Sequence, residues 1–276
     1  MIGHDAALPD GLTLPCLAQE VVTAYLCLVD AEAPGLVEAF YLVGSVALAD
    51  FHPQASDIDF VAVTATPCDG EVVATLQRVH ARLAAQYRRP FFDGVYVTWD
   101  QLAGNPPHTA PGPCVHESQV QPWVPHGPVT WHTLAHHGVR VRGPRRQDRP
   151  IWTNRDVLAS WTRDNLASYW RSWHRRSSCL LAKPGLVCLG SWGPTWGVLG
   201  VSRLHYTLAT GAITSKEGAG LYALTVFPPR WRRIITECLR IRRGASGHAL
   251  YRTPLRRRQD ALDFVALASD NALSNT

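Results

Sequence analysis

No uninterrupted apolar run in this 276-residue chain approaches the length that crosses a bilayer. The best candidate, residues 179–189, is broken by Lys183-Pro184. The N-terminus lacks a basic stretch followed by a sustained apolar one. It carries Asp5, Pro9 and Asp10 instead, so no secretory signal is expected. The seven cysteines (Cys16, Cys27, Cys68, Cys114, Cys179, Cys188 and Cys238) are odd in number and contain no Cys-x-x-Cys pair. That argues against a disulfide frame or a zinc site and for free buried thiols in a reducing cytosol. Internal repeats and low-complexity segments are also missing. At 46% hydrophobic residues the chain has material for one large core or two modest ones.

Apolar spacing predicts a helix over 12–31, strands at 39–43 and 58–63, and a helix from Asp69 to about Tyr87. A third strand is expected over 92–99. Residues 100–128, rich in Pro, Gly and His, read as a long irregular connection. A short helix (131–137) and a short strand (139–141) follow, and the charged stretch 143–150 reads as a linker. Beyond Trp152 every pattern is helical. Thr153-x-x-Asp156 predicts a capping box for a helix reaching about Trp173. Further helices are expected over 194–210, ended by Gly211, then after Ser215, from Pro228-Pro229 to Gly244, and from Pro254 to about Ala268.

The chemistry concentrates in residues 41–64. The first strand ends in Gly44-Ser45, a turn-rich loop follows, and Ser56-Asp57-Ile58-Asp59 opens the second strand. Side chains alternate along a strand, so Asp57 and Asp59 point the same way. Two adjacent carboxylates repel each other, and a hard divalent cation such as Mg²⁺ relieves that repulsion with oxygen ligands. Gly44 permits close backbone approach, and Ser45 adds a hydroxyl and an N–H for phosphate oxygens. Acids that bind metal beside a phosphate-holding turn are what nucleotidyl transfer requires. Two solvated acids in a turn are the alternative.

Gly-Ser, a spacer and Ser-Asp-Ile-Asp resemble the signature of the nucleotidyltransferase superfamily that includes DNA polymerase β, and within it the streptomycin/spectinomycin adenylyltransferases. The spacer is one residue longer than the common form, and Ala49 stands where a glycine is usual. Residues 197–244 are similar to the helical domain of the same adenylyltransferases, with Arg-x-x-x-Tyr-Thr-x-x-Thr-Gly and Ser-Lys in register. The resemblance implies an α+β architecture: an N-terminal mixed-sheet nucleotidyltransferase domain (1–145) followed by an all-α helical bundle domain (151–276), with the active site in the cleft between them. It implies that Gly44, Ser45 and Ser56 bind nucleotide, and that the family's nucleotide-contacting Arg and Lys fall on Arg203 and Lys216. A surface salt bridge is the alternative for each of those two.

Nucleotidyl transfer also needs a group to take the acceptor's proton, or a further acid in the metal site. Asp93, at the head of the third strand, stands where the resembling family carries Glu, one methylene shorter in reach. The alternative is a strand-initiating Asp exposed at a turn with Gly94. The resembling family's acid about three helical turns before the Arg, which helps hold a cationic sugar, is replaced by Gly193-Pro194-Thr195-Trp196. The net charge is +5, and ten arginines load residues 230–258. They read first as a solvated helix face, second as a field for a nucleoside triphosphate, and last as a nucleic-acid surface. Trp152, Trp161, Trp170, Trp173, Trp192 and Trp196 suit stacking on a sugar or an adenine, or packing in a bundle. His132 and His136, at i, i+4, make half a zinc site or satisfied imidazoles.

The expectation is therefore a cytoplasmic, monomeric enzyme that moves AMP from Mg-ATP, with one or two Mg²⁺, onto a small hydroxyl compound, with nucleic acid not a partner. The rival readings are transfer to a non-antibiotic metabolite, protein or RNA, and a regulatory module that binds nucleotide without transfer.

Overall fold

The computed structural model describes residues 13–274. The N-terminal residues read above for a signal lie outside that range. The chain divides between Thr153 and Asn154 into two compact units. No helix among the described residues is long and apolar enough to cross a membrane.

The first unit is built on a six-stranded mixed sheet. Its strands are β1 (Val37–Val43), β2 (Ile58–Thr64), β3 (Phe92–Val97), β4 (Gly112–His116), β5 (Gln119–Val124) and β6 (Val139–Arg142). They run in the order β5-β4-β3-β2-β1-β6, with only β2 and β3 parallel. Helix α1 (Cys16–Glu32) starts four residues inside the expected span. A one-turn α2 (Gly44–Ala47) follows β1, and α3 (Gly70–Gln86) is capped by Asp69, whose side chain accepts the Val72 amide at 2.9 Å. Helix α4 (Trp99–Ala103) and α5 (Pro128–His137) complete the unit.

Two apolar layers sandwich the sheet. On one face Phe40, Phe60 and Phe92 meet Tyr25 of α1 and Leu76 and Leu83 of α3. On the other, Tyr41, Val61, Val63 and Val97 meet Leu102, Trp131 and Leu134. Strand alternation delivers odd positions of β2 to this second face and even positions to the first.

Strands β4 and β5 fall inside the stretch expected to be an irregular connection. Their prolines conceal them: Pro122 lies on β5, an outer strand where a missing N–H costs no ladder bond. Residues 143–150, read as a linker, belong to the first unit: the Tyr41 hydroxyl donates to the Pro144 carbonyl at 2.6 Å and Arg146 donates to the Ala135 carbonyl. The Trp152 amide donates to the Leu102 carbonyl at 2.8 Å, and Ile151 and Trp152 pack on the second face.

The second unit is helical: α6 (Arg155–Asn165), a π turn (Leu166–Trp170), α7 (Arg171–Ser178), α8 (Lys183–Val187), α9 (Trp192–Thr210), α10 (Lys216–Val226), α11 (Arg232–Arg242) and α12 (Pro254–Ser274). The expected capping box is replaced by Asn154, whose Oδ1 accepts the Asp156 and Val157 amides at 2.8 and 3.1 Å. An Asn at that position caps without help from Thr153. Gly211, at φ +70°, ends α9, its amide donating to the Thr207 carbonyl at 2.8 Å.

Trp170 and Trp173 are core residues. A Cβ on Gly200 would lie 2.4 Å from Trp170 and one on Gly197 2.7 Å from Trp173, so these glycines of α9 are the sockets for the two indoles. Arg230, Arg232, Arg233, Arg243, Arg252 and Arg256 of the basic stretch are exposed, as a solvated face requires, while others have structural partners. Arg240 and Arg257 meet the fully buried Glu237, Arg258 is buried and donates to the carbonyls of Ser177 and Ser178, and the exposed Arg256 pairs with Asp260.

Candidate active site

Asp57 immediately precedes β2 and Asp59 is its second residue. Asp59 is the register partner of Val43 on antiparallel β1 and of Asp93 on parallel β3. Neighbouring strands lie about 4.8 Å apart and register partners share a face. Asp59 and Asp93 therefore stand side by side, on the face that also carries Val61, Val63 and Val97.

The chain reverses at Gly44, where φ is +59° and L side chains are disfavoured. Space demands glycine as well, because a Cβ here would lie 1.9 Å from Asp59 Oδ2 and 2.6 Å from its Cγ. The turn backbone thus rests against the Asp59 carboxylate. The Ser45 hydroxyl donates to the Asp57 carbonyl at 3.2 Å, and the Asp50 amide donates to the Ser45 carbonyl at 2.8 Å. Arg89 brings a guanidinium nitrogen within 3.6 Å of Asp57 Oδ1. Ala49 adopts φ +53°, the left-handed backbone that explains why glycine is usual there in the resembling family.

Ser56 is buried, and its hydroxyl serves the loop: it accepts the His52 amide at 3.0 Å and donates to the Asp50 carbonyl at 3.4 Å. Buried Asp50 holds His52, with Oδ1 and Nε2 2.9 Å apart. This pair escaped the sequence reading, since nothing in a pattern shows that the loop folds back on itself.

Asp93 is no exposed turn residue; its side chain is 15% exposed. Oδ2 accepts the Glu117 amide at 3.1 Å and Oδ1 the Ser118 amide at 3.0 Å. Glu117 and Ser118, at φ +48° and +60°, form the two-residue β4–β5 turn. Both positive φ values match the primed turn that suits strand twist. Burial pushes the Asp93 carboxyl above the usual carboxylate range, and the two amide hydrogen bonds pull against it.

In the helical unit, Arg203 is on the exposed side of α9 and Lys216 is in the first turn of α10, behind Ser215, whose hydroxyl accepts the Gly218 amide at 2.9 Å. The Lys216 ammonium lies 4.8 Å from the centroid of the Trp196 ring, and Trp192 stacks on Trp196 at 5.5 Å and 11°. The structure therefore gathers Gly44, Ser45, Ser56, Asp57, Asp59 and Asp93 in the first unit, and Arg203 and Lys216 in the second. Charge divides unevenly: residues 1–153 hold 15 acidic and nine basic side chains, residues 154–276 seven and 18. The buried His132 and its neighbour His136 are stacked, with His136 Nδ1 2.8 Å from the His132 carbonyl, which satisfies one imidazole locally.

Residues 167–257 match the family model described as aminoglycoside adenylyltransferase, C-terminal domain. Among solved structures, the chain is similar to a spectinomycin adenyltransferase, AAD(9), from Enterococcus faecialis, solved with ATP and spectinomycin. The identity is 12%, the TM-score 0.62, and the match covers 90% of this chain and 99% of that one. No curated protein sequence matches the chain.

Proposed function

We propose that this chain, a nucleotidyltransferase by its matched C-terminal domain and its fold, transfers AMP from Mg-ATP to a hydroxyl of a small molecule and releases pyrophosphate. The observation that carries the reading is the Gly44 turn seated against Asp59, with Asp93 in register beside it. Mg²⁺ suits this set: the donors are hard carboxylate oxygens, and the glycine leaves room where any Cβ would collide with one of them. Asp57 and Asp59 would hold one or two ions, which when bound offset the negative charge of the phosphate oxygens.

The chain's own groups account for the remaining steps. Gly44 and Ser45 bring backbone and hydroxyl to the triphosphate, while Ser56 shapes the loop that presents Asp57. Arg203 and Lys216 neutralise phosphate charge, Lys216 with the positive end of α10 behind it. The acceptor oxygen forms a bond to the α-phosphorus as the bond to pyrophosphate breaks. The acceptor's proton passes to Asp93, or Asp93 completes the metal set. The enzyme acts as a cytoplasmic monomer.

Two observations support a weakly charged acceptor over a polycation. AAD(9) was solved with spectinomycin, and the helical unit of this chain carries a large excess of basic side chains. Spectinomycin is accordingly expected to be a better acceptor than streptomycin, which carries more charge and needs carboxylate partners, each charged hydrogen bond being worth about 1.5–3 kcal/mol. The test is transfer of radiolabelled AMP onto spectinomycin, streptomycin, other aminoglycosides and bulk RNA. Label on spectinomycin with little on streptomycin is the expected result. ATP binding without label on any acceptor would leave a nucleotide-binding module instead.

A further inference from the structure

Trp192 is 61% exposed, an unusual setting for the largest apolar side chain. One face of its indole is stacked parallel on Trp196, which in turn leans on the core residue Trp170 at 6.1 Å. The indole is therefore held rigid from behind. Positions 192, 196 and 203 are i, i+4 and i+11 along α9, and so lie on one side of the helix. The Lys216 ammonium reaches the same Trp196 ring from α10. An open aromatic face and a cation thus adjoin, with an arginine about three turns further along the same side of α9.

We infer, on the reading of Arg203 and Lys216 as phosphate ligands, that Trp192 backed by Trp196 is the acceptor's docking platform. The acceptor lays the apolar face of a ring on the indole, beside the transferred phosphate. In-line transfer brings the attacking hydroxyl within bonding reach of the phosphorus, so the group beside the phosphate cations is the acceptor. The nucleobase is set off from the α-phosphate by the ribose. Charge selects the acceptor class. Lys216 and Arg203 repel ammonium groups, and the adjacent acid, Glu217, already receives Arg243 at 2.6 and 2.9 Å. A ring compound with few positive charges fits this surface, and a polycation does not.

Calorimetry on the full-length enzyme tests this, with titrations of Mg-ATP and then of spectinomycin in the presence of a non-hydrolysable Mg-ATP analogue. Trp192→Ala is expected to weaken spectinomycin binding at least tenfold and leave Mg-ATP binding within twofold, and Trp192→Phe to restore most of the loss. In turnover, the acceptor KM rises while kcat holds. Unchanged spectinomycin affinity in Trp192→Ala overturns the platform, and so does a loss falling on Mg-ATP, which would assign the indole to the base. Parent enzyme that binds Mg-ATP but not spectinomycin refutes the acceptor class, whereas parent that binds neither refutes the underlying transfer reading.

Discussion

Replacing Gly44 with alanine separates two effects that usually travel together. The first is backbone strain: φ is +59°, and an L residue there costs about 1–2 kcal/mol. The second is collision, since the new Cβ would lie 1.9 Å from Asp59 Oδ2. Carbon–oxygen contact is comfortable near 3.4 Å, so the two must part by about 1.5 Å. The easiest escape is rotation of the Asp59 side chain, the group the chemistry needs in place. A reacting group misplaced by about 1 Å can cost on the order of 100-fold in rate. Gly35 provides the control: it too has positive φ, +78°, but a Cβ there meets nothing within 4 Å. Gly35→Ala should therefore lose about 1–2 kcal/mol, roughly 2–8 °C in Tm for a unit of this size, and keep its activity. Gly44→Ala should lose a similar amount of stability and about 100-fold in AMP transfer, and weaken Mg-ATP binding. Scanning calorimetry paired with pyrophosphate release on the two variants reads both quantities. A folded Gly44→Ala enzyme within threefold of the parent rate would refute the claim that the turn positions Asp59.

Asp57→Asn and Asp59→Asn should each reduce transfer by orders of magnitude with little loss of Tm, because the carboxylates repel each other without a metal; parental turnover in the double variant would sink the assignment. Arg203→Ala and Lys216→Ala should weaken Mg-ATP binding more than acceptor binding, and undiminished ATP affinity by titration calorimetry would remove both from the phosphate site. His80 makes the first unit sensitive to acid. Burial beneath Phe60 and Phe92, with Nε2 2.8 Å from the Tyr96 hydroxyl, pulls its pKa down to about 3 from an unfolded value near 6.5. The unfolded chain then binds the proton first, so the contribution is fully present above about pH 6.5 and is lost as pH falls toward 3. At pH 5 the loss is about 2 kcal/mol. Urea melts at pH 7.5 and 5 should show it, and His80→Gln should abolish the difference.

Local signals were legible without a structure. Asp69 and Ser215 as caps and Gly211 as a stop depend on neighbours a few residues away, and the sequence carries those neighbours explicitly. Asn154 caps in place of Thr153 because the directions of the Asp156 and Val157 amides, which the sequence does not carry, decide which oxygen they meet. What tertiary structure alone decided is contact across long separations. The prolines of β4 and β5 hid two strands until the ladder to β3 formed. Asp93 was legible as an acid at a strand head, but not as the acceptor of two amides from a turn 24 residues onward. Gly44 was legible as a flexible turn, whereas its Cβ-sized gap is filled by a carboxylate 15 residues away on another strand. The six tryptophans looked alike in sequence. Glycines at 197 and 200 drew Trp173 and Trp170 into the core, while a stack on Trp196 left Trp192 facing water. Propensity and spacing act within a few residues along the chain, but which side chain fills which space depends on what the fold brings opposite it.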